Sequence, residues 1–246
     1  MWHLNRFGMF SNSTLKIVAI ITMFIDHIGA SLLYRLIKNG YFAAESLDFW
    51  KECYLWCRVI GRTAFPIFAF LLVEGYLHTQ NVKKYLARLM TLAVISEVIY
   101  DLALSASYPP DWIRTQNIFF TLALGLLTMI LVQKAMTMTT KYFWLRWISV
   151  ALVCGLACLV AGVLRFDYGF KGILVILIFY ILYCERGMAS LAAYLVMVYT
   201  NANSLPGFLM VNLYNGKRGL RSKYFFYLFY PLHLLVLYGI SVVLLK

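Results

Sequence analysis

Two ionisable residues stand side by side in an apolar run near the start of the chain. The stretch FIDHIGASLL, residues 24–33, contains Asp26 and His27. An ionisable side chain is costly in hydrocarbon, so such residues usually face a bundle interior and mark functional sites. Adjacent helical residues point about 100° apart, so each of the two needs a partner on another helix. A structural or orienting role is the alternative for Asp26.

A second run, RVIGRTAFPIF, carries two arginines one helical turn apart. Arg58 and Arg62 are spaced i,i+4 and therefore share a helix face. Pro66 cannot donate to the carbonyl oxygen of Arg62, which weakens the helix beside a cation, and Gly61 permits close approach of a neighbour. Either arginine suits a phosphate or a developing oxyanion. For Arg58, nearer the helix end, snorkelling to the membrane surface is the alternative.

Three later segments add polar residues. In ISEVIYDLA, Glu97 and Asp101 share a face, and two carboxylates together imply a nearby cation or proton. In QNIFFTLALG, Asn117 and Thr121 share a face. They are either site residues or residues that form hydrogen bonds between helices. In YPLHLLVLY, His233 follows a proline, and a satisfied structural histidine is the alternative there.

The depth of these residues predicts one pocket. His27 lies about 17 Å along its helix, near the membrane midplane. If successive helices alternate in direction, Arg62 and Glu97 fall in the same layer, slightly toward the outer side. Asn117, Asp101 and Arg58 lie just beyond this layer. A shared layer is typical of one site rather than of scattered structural residues.

Two function classes fit such a pocket. In transfer chemistry, His27 is the general base, Asp26 or Glu97 orients its ring, and an arginine stabilises negative charge. A proton- or ion-coupled transporter is the alternative, with the same groups relaying protons. The H-E-x-x-H motif is absent from the sequence, and we predict no metal.

The composition requires a membrane to position these residues. Of the 246 residues, 63% are hydrophobic and 13% are charged, too few polar groups to cover a soluble domain. Backbone groups in lipid must pair internally, so the apolar runs are helices. The first run is too long for a signal-peptide core and stays in the protein. The strong apolar runs are 15–37, 54–77, 85–106, 117–135, 143–164, 170–184, 187–201 and 225–245.

We therefore predict one all-α polytopic membrane domain over residues 1–246, with 8–10 transmembrane helices. Counting the short segment 203–214 as a crossing favours nine. Loops 78–88 and 134–146 each carry three Lys or Arg and no acid, which places the N-terminus in the cytoplasm. The net charge of +12 is explained by such loops, and we expect no nucleic-acid partner. The five cysteines form no C-x-x-C pair and are interpreted as small hydrophobes.

Five motifs in order give a resemblance to a known family. The chain resembles the TraX family in five stretches, which are LKIVAIITMFIDHIGA, IGRTAFPIFAFLLVEGYLHTQNVKKYLARL, ISEVIYDLA, QNIFFTLALG and YPLHLLVLY. That family includes a protein that acetylates the N-terminus of conjugative pilin. It is distantly similar to the acyltransferase-3 and heparan-glucosaminide N-acetyltransferase type. The resemblance implies a multi-pass acetyltransferase of the bacterial cytoplasmic membrane, using acetyl-CoA as acyl donor.

The resemblance also gives roles to residues. The acceptor would be an amine or hydroxyl on a peptide, protein or glycan, and the other partners are acetyl-CoA and the lipid bilayer. The expected catalytic residues are His27, Asp26, Arg62 and Glu97. The expected donor-binding residues are Arg58, Arg62, Lys83, Lys84, Arg88, Asn117 and Thr121. Asp101 and His233 are further candidates.

Overall fold

A computed structural model describes residues 8–105, 115–138, 142–219 and 223–246. Within these ranges the chain is helical and has no strand, apart from two isolated β-bridges, Phe10 with Tyr214 and Gln116 with Phe166. This confirms the all-α prediction. The physical reason is that a helix pairs every backbone N–H and C=O within one segment, as an apolar surrounding requires.

Eleven α-helices form the described part of the chain. They are α1 (Asn12–His27), α2 (Tyr34–Lys38), α3 (Leu47–Gly61), α4 (Ala64–His78), α5 (Val82–Tyr100), α6 (Ile118–Met136), α7 (Phe143–Val163), α8 (Gly169–Ile181), α9 (Arg186–Asn201), α10 (Leu205–Asn212) and α11 (Lys223–Leu244). Ile28–Leu33 and Asp101–Ser105 are π-helical, and Ala44–Ser46 and Ala202–Ser204 are 3₁₀ turns.

Four helical stretches among the described residues are long and apolar enough to cross a membrane. They are Asn12–Lys38, Ala44–His78, Ile118–Met136 and Phe143–Val163. Gly169–Ile181 and Leu228–Leu244 are shorter apolar helices. Large apolar side chains are exposed along α7, as a lipid-facing surface requires. The chain is thus a membrane protein by composition and helix length. Nine crossings and a cytoplasmic N-terminus stay predictions.

The chain divides into two compact units. The first comprises Met1–Phe68, Ile95–Asp111 and Met197–Lys246, and the second comprises Ala69–Val94 and Trp112–Val196. A single transmembrane domain over residues 1–246 stays a prediction.

In the first unit, α1 packs against α3, and α11 packs against α1 and the following π-helix. Two glycines bring α1 and its π-helical extension close to α3. A Cβ at Gly29 would lie 2.7 Å from the Cβ of Cys57, and a Cβ at Gly61 would lie 2.2 Å from the Asp26 side chain. Side chains larger than hydrogen would therefore separate the two elements.

The predicted weak point beside Arg62 is a break between α3 and α4. Arg62 and Thr63 form a turn, and Pro66 lies in the first turn of α4, where a missing N–H is tolerated. The short helix α10 packs at this break. A Cβ at Gly207 would lie 2.4 Å from the Thr63 carbonyl oxygen, so the backbone of α10 approaches the break directly. This accounts for segment 203–214, which is too short to span a membrane alone.

In the second unit, α6, α7 and α8 pack against one another. A Cβ at Gly125 would lie 2.5 Å from Ile176, so this glycine lets α8 approach α6. Glu74 accepts a hydrogen bond from the hydroxyl of Tyr183, and Tyr76 donates one to Gln133. These polar contacts lie among apolar helices, where they join neighbouring segments.

Candidate functional site

The regular α1 helix ends at His27. Ile28–Leu33 continues it as a π-helix, which turns the following residues relative to α1. A short π-helical insertion is uncommon and is often found at functional sites. The apolar periodicity of the sequence gave no sign of it, because a π-turn has no strong residue preference of its own.

His27 and His233 form a buried pair, which we call the histidine pair. Nδ1 of His27 lies 2.6 Å from Nε2 of His233, and the side chains are only 8% and 5% exposed. His233 lies on α11, two residues after Pro231. The sequence left His233 as a candidate with no known partner, because the contact spans 206 residues of chain.

Aromatic rings surround the histidine pair. The Phe229 ring stacks on His233 with centroids 4.7 Å apart, and Phe24 meets His233 edge-on at 5.8 Å. Tyr230 meets the ring of His27 edge-on, with centroids 5.7 Å apart. Such neighbours bring few polar groups of their own, so electrostatic interactions between the imidazoles are stronger there than in water.

Asp26 finds its partner on α3. Oδ2 of Asp26 lies 2.7 Å from Nη1 of Arg58, and the two side chains are 18% and 27% exposed. The space above Gly61 accommodates the carboxylate. Asp26 and His27 thus each contact a different helix, as helical geometry predicts for adjacent residues. Arg58 is ion-paired in this arrangement.

The other first-unit candidates lie on α3, α5 and the second π-helix. Arg62 follows the last residue of α3 and acts electrostatically on Asp26. Glu97 in the last turn of α5 and Asp101 at the start of the π-helix are completely buried. Burial of two carboxyl groups in the unit that holds the histidine pair is expensive, and it favours a site over chance. Their catalytic roles stay predictions.

Five donor-binding candidates lie in the second unit. Lys83 and Lys84 are exposed in the first turn of α5, and the guanidinium of Arg88 lies 5.7 Å from the Tyr85 ring centroid. The last two, on α6, are both fully buried. Asn117 caps the helix through the Phe119 N–H and donates to the carbonyl of Ala93, and Thr121 donates to the carbonyl of Asp167.

For Asn117 the bond to Ala93 corresponds to the interhelical role that the sequence left open, whereas Thr121 bonds to the turn between α7 and α8. Their part in donor binding stays a prediction, as does that of the three basic residues. A layer shared between these residues and His27 also stays a prediction.

Arg35 is a polar residue whose place the sequence did not single out. Its Nη2 donates to the carbonyl of Leu102, and its Nε donates to that of Ala103 at 3.4 Å. The guanidinium carbon lies 4.9 Å from the centroid of the Tyr238 ring. Arg35 therefore joins α2, the π-helix after α5, and α11. The signal for it was a cation inside the first apolar run.

The arrangement offers an imidazole with a hydrogen-bonded second imidazole, and a guanidinium close to the same helix. An imidazole of this kind can accept and return a proton, and a guanidinium can stabilise an oxyanion. Among the described residues, no three His, Cys, Asp or Glu side chains cluster so as to hold a metal ion.

Comparison with known proteins gives the family. The model of the TraX protein family matches residues 11–241. A relative from Dichelobacter nodosus, named "Probable fimbrial assembly protein FimC, serogroup H1", is 30% identical over 256 residues, which cover 93% of this chain and 94% of the relative. No solved structure gives a significant match. The matched range 11–241 includes the site candidates Asp26, His27, Arg58, Arg62, Glu97 and His233. Because the family model matches most of the chain, the chain belongs to the TraX family.

Proposed function

We propose that this chain is a membrane-embedded acetyltransferase, which moves an acetyl group from acetyl-CoA to an amine or hydroxyl acceptor. The observation that carries the proposal is the histidine pair, buried in a helix bundle beside the Asp26–Arg58 ion pair. A buried, hydrogen-bonded imidazole suits proton transfer, and the nearby guanidinium suits a developing negative charge.

In the proposed reaction His27 removes the proton from the acceptor nitrogen or oxygen. That atom attacks the thioester carbonyl, the carbon–sulfur bond breaks, and the leaving thiolate takes the proton back from His27. Transfer through an acetyl-histidine divides the same reaction into two steps. Both routes need the imidazole as a base or nucleophile, and the arginines would stabilise the oxyanion of the tetrahedral intermediate.

The family and the relative's name guide the choice of acceptor. The Dichelobacter nodosus relative is described as a fimbrial assembly protein. We propose that this chain likewise serves fimbrial or pilus assembly, with the N-terminal amine of a surface subunit as the first acceptor to examine. Location in the bacterial cytoplasmic membrane follows from this proposal, because acetyl-CoA is supplied from the cytoplasm.

The donor's phosphates are proposed to bind the exposed basic residues at the start of α5. Lys83 and Lys84 place two positive charges at a helix N-terminus, where the backbone dipole also favours an anion. Arg88 lies one turn further along the same helix.

Mass spectrometry of the host's surface proteins, peptides and glycans tests the function. Cells with the wild-type chain should carry an acetylated species that is missing from deletion cells and from cells with His27→Ala. His78→Ala is the matched control, because His78 lies in the second unit with its side chain about half exposed. The proposal is overturned if wild-type and deletion cells have identical acetylation. Loss of a pH-gradient-driven flux without loss of acetylation would instead identify a transporter.

A further inference from the structure

The hydrogen bond within the histidine pair lies in the plane of both rings. The planes differ by only 9°, and the ring centroids are 4.9 Å apart while the bonded nitrogens are 2.6 Å apart. The centroid separation exceeds the nitrogen separation by about one imidazole ring diameter. The rings therefore meet edge to edge, with the lone pair of one nitrogen directed at the N–H of the other.

The far side of His233 decides which nitrogen carries that proton. Nδ1 of His233 lies 2.6 Å from the backbone carbonyl oxygen of Phe229, one helical turn earlier on α11. A carbonyl oxygen only accepts hydrogen bonds, so Nδ1 of His233 must carry the hydrogen. In a neutral imidazole the other nitrogen is then an acceptor. Nε2 of His233 therefore accepts, and Nδ1 of His27 donates to it.

We propose that His233 is a positioning residue, which fixes His27 in the tautomer with its proton on Nδ1 and thereby makes Nε2 the basic nitrogen. His27 donates a hydrogen bond to His233, and His233 donates one to the carbonyl oxygen of Phe229. This chain of bonds is read from the geometry alone. Its catalytic consequence rests on the proposed acetyl transfer.

The proton balance of the transfer assigns each nitrogen one task. The acceptor's proton moves to Nε2 of His27, and the acceptor atom forms its bond to the carbonyl carbon as the carbon–sulfur bond breaks. The resulting imidazolium of His27 keeps its Nδ1–H hydrogen-bonded to Nε2 of His233, and the lone pair of that nitrogen stabilises the positive charge. The thiolate then removes the proton from Nε2, so both rings return to their starting tautomers. If transfer passes through acetyl-histidine, Nε2 is also the nucleophile.

Two substitutions of His233 separate positioning from packing. In His233→Gln the amide oxygen can replace Nε2 as an acceptor, whereas His233→Ala removes the acceptor. Loss of the orienting partner of a metal-bound histidine costs about 10- to 100-fold, and we take the same range for His27. We expect that loss in kcat for His233→Ala, with KM for acetyl-CoA unchanged and most of the rate restored in His233→Gln. Equal rates for wild type and His233→Ala, or equal losses in both variants, would overturn the proposal.

Nitrogen-15 NMR of histidine-labelled full-length protein in lipid nanodiscs tests the tautomer without any activity measurement. The chain has four histidines, so single substitutions assign the signals. We expect His27 as the Nδ1–H tautomer in the wild type, and a larger share of Nε2–H in His233→Ala. A wild-type His27 protonated on Nε2, or a His233 protonated on both nitrogens, would overturn the proposal.

The two experiments fail independently. If His27→Ala keeps full acetyl transfer while His27 of the wild type is the Nδ1–H tautomer, the proposed function is wrong. The assigned direction of the two hydrogen bonds then still stands. If His27→Ala abolishes acetyl transfer while His27 of the wild type is the Nε2–H tautomer, the proposed function stands and the positioning role of His233 is wrong.

Discussion

At the scale of single residues, adjacent side chains with separate partners organise the candidate site. Asp26 pairs with Arg58 on α3, and His27 pairs with His233 on α11. The consequence is that one turn of α1 joins two other helices of the first unit. Loss of either polar contact should therefore affect stability as well as chemistry, and experiments must separate the two.

The Asp26–Arg58 pair allows such a separation. Arg58→Met should lower the free energy of unfolding by about 2 kcal/mol, because it leaves a largely buried carboxylate without its cation. The double variant Asp26→Asn with Arg58→Met should recover most of that loss, since it leaves no isolated charge. Unfolding in mixed micelles with increasing denaturing detergent measures both. If the double variant is as unstable as Arg58→Met, the unpaired carboxylate is not the cause of the lost stability.

The sequence predicted the need for these partners but not their identity. The period of the helix separates residues 26 and 27, and this alone requires two partners. Arg58 was a candidate because it shares a helix face with Arg62, whereas His233 was one of several options. Contacts across 206 residues depend on how helices pack, and apolar periodicity in a membrane protein says little about packing because lipid-facing and buried faces are both apolar.

At the scale of elements, close approach of α1 to α3 holds the ion pair in place. A Cβ at Gly61 would lie 2.2 Å from the Asp26 side chain, so Gly61→Ala forces the two helices apart or displaces the carboxylate. We expect a cost of about 1–3 kcal/mol, typical of overpacking, measured by the same detergent unfolding.

Gly239→Ala is the matched control for that substitution. Gly239 is an exposed glycine on α11, and a Cβ there would meet no other atom within 4 Å. Alanine has the better helix propensity, so this variant should be neutral or more stable by up to about 1 kcal/mol. If the two glycine variants had equal stability, close packing at Gly61 would not be a determinant of the fold.

Helix breaks were predictable only where a residue enforces them. Pro66 predicted the interruption beside Arg62, and α3 and α4 are separate helices there. The π-helix after His27 had no such marker. No local preference of Ile28–Leu33 specifies its wider turn.

At the scale of the whole molecule, composition determines the environment. With 63% hydrophobic residues, the chain needs lipid around its helices, and the prediction of a membrane protein followed directly. The division into two units was not predictable in this way. It depends on contacts between segments far apart in sequence, such as residues 12–27 and 223–244, rather than on any linker.

The basic start of α5 gives a prediction about the donor. Lys83→Glu combined with Lys84→Glu should raise KM for acetyl-CoA by about tenfold and leave kcat nearly unchanged, because the proposed phosphate contacts would be equal in the ground and transition states. The effect should shrink at high salt, which screens exposed charges. Lys134→Glu, an exposed lysine of the other basic loop, is the control and should leave KM unchanged. An equal rise in KM for Lys134→Glu would indicate a general charge effect.

The central claim is that His27 performs acetyl transfer. The direct measurement is acceptor-dependent release of CoA from acetyl-CoA by the purified protein in nanodiscs, with N-terminal peptides of the host's surface proteins as the proposed acceptors. We predict that His27→Ala lowers the rate at least about 100-fold, as expected for loss of a general base, while His78→Ala keeps the wild-type rate and both variants stay folded. Equal rates for the wild type and His27→Ala would contradict the account.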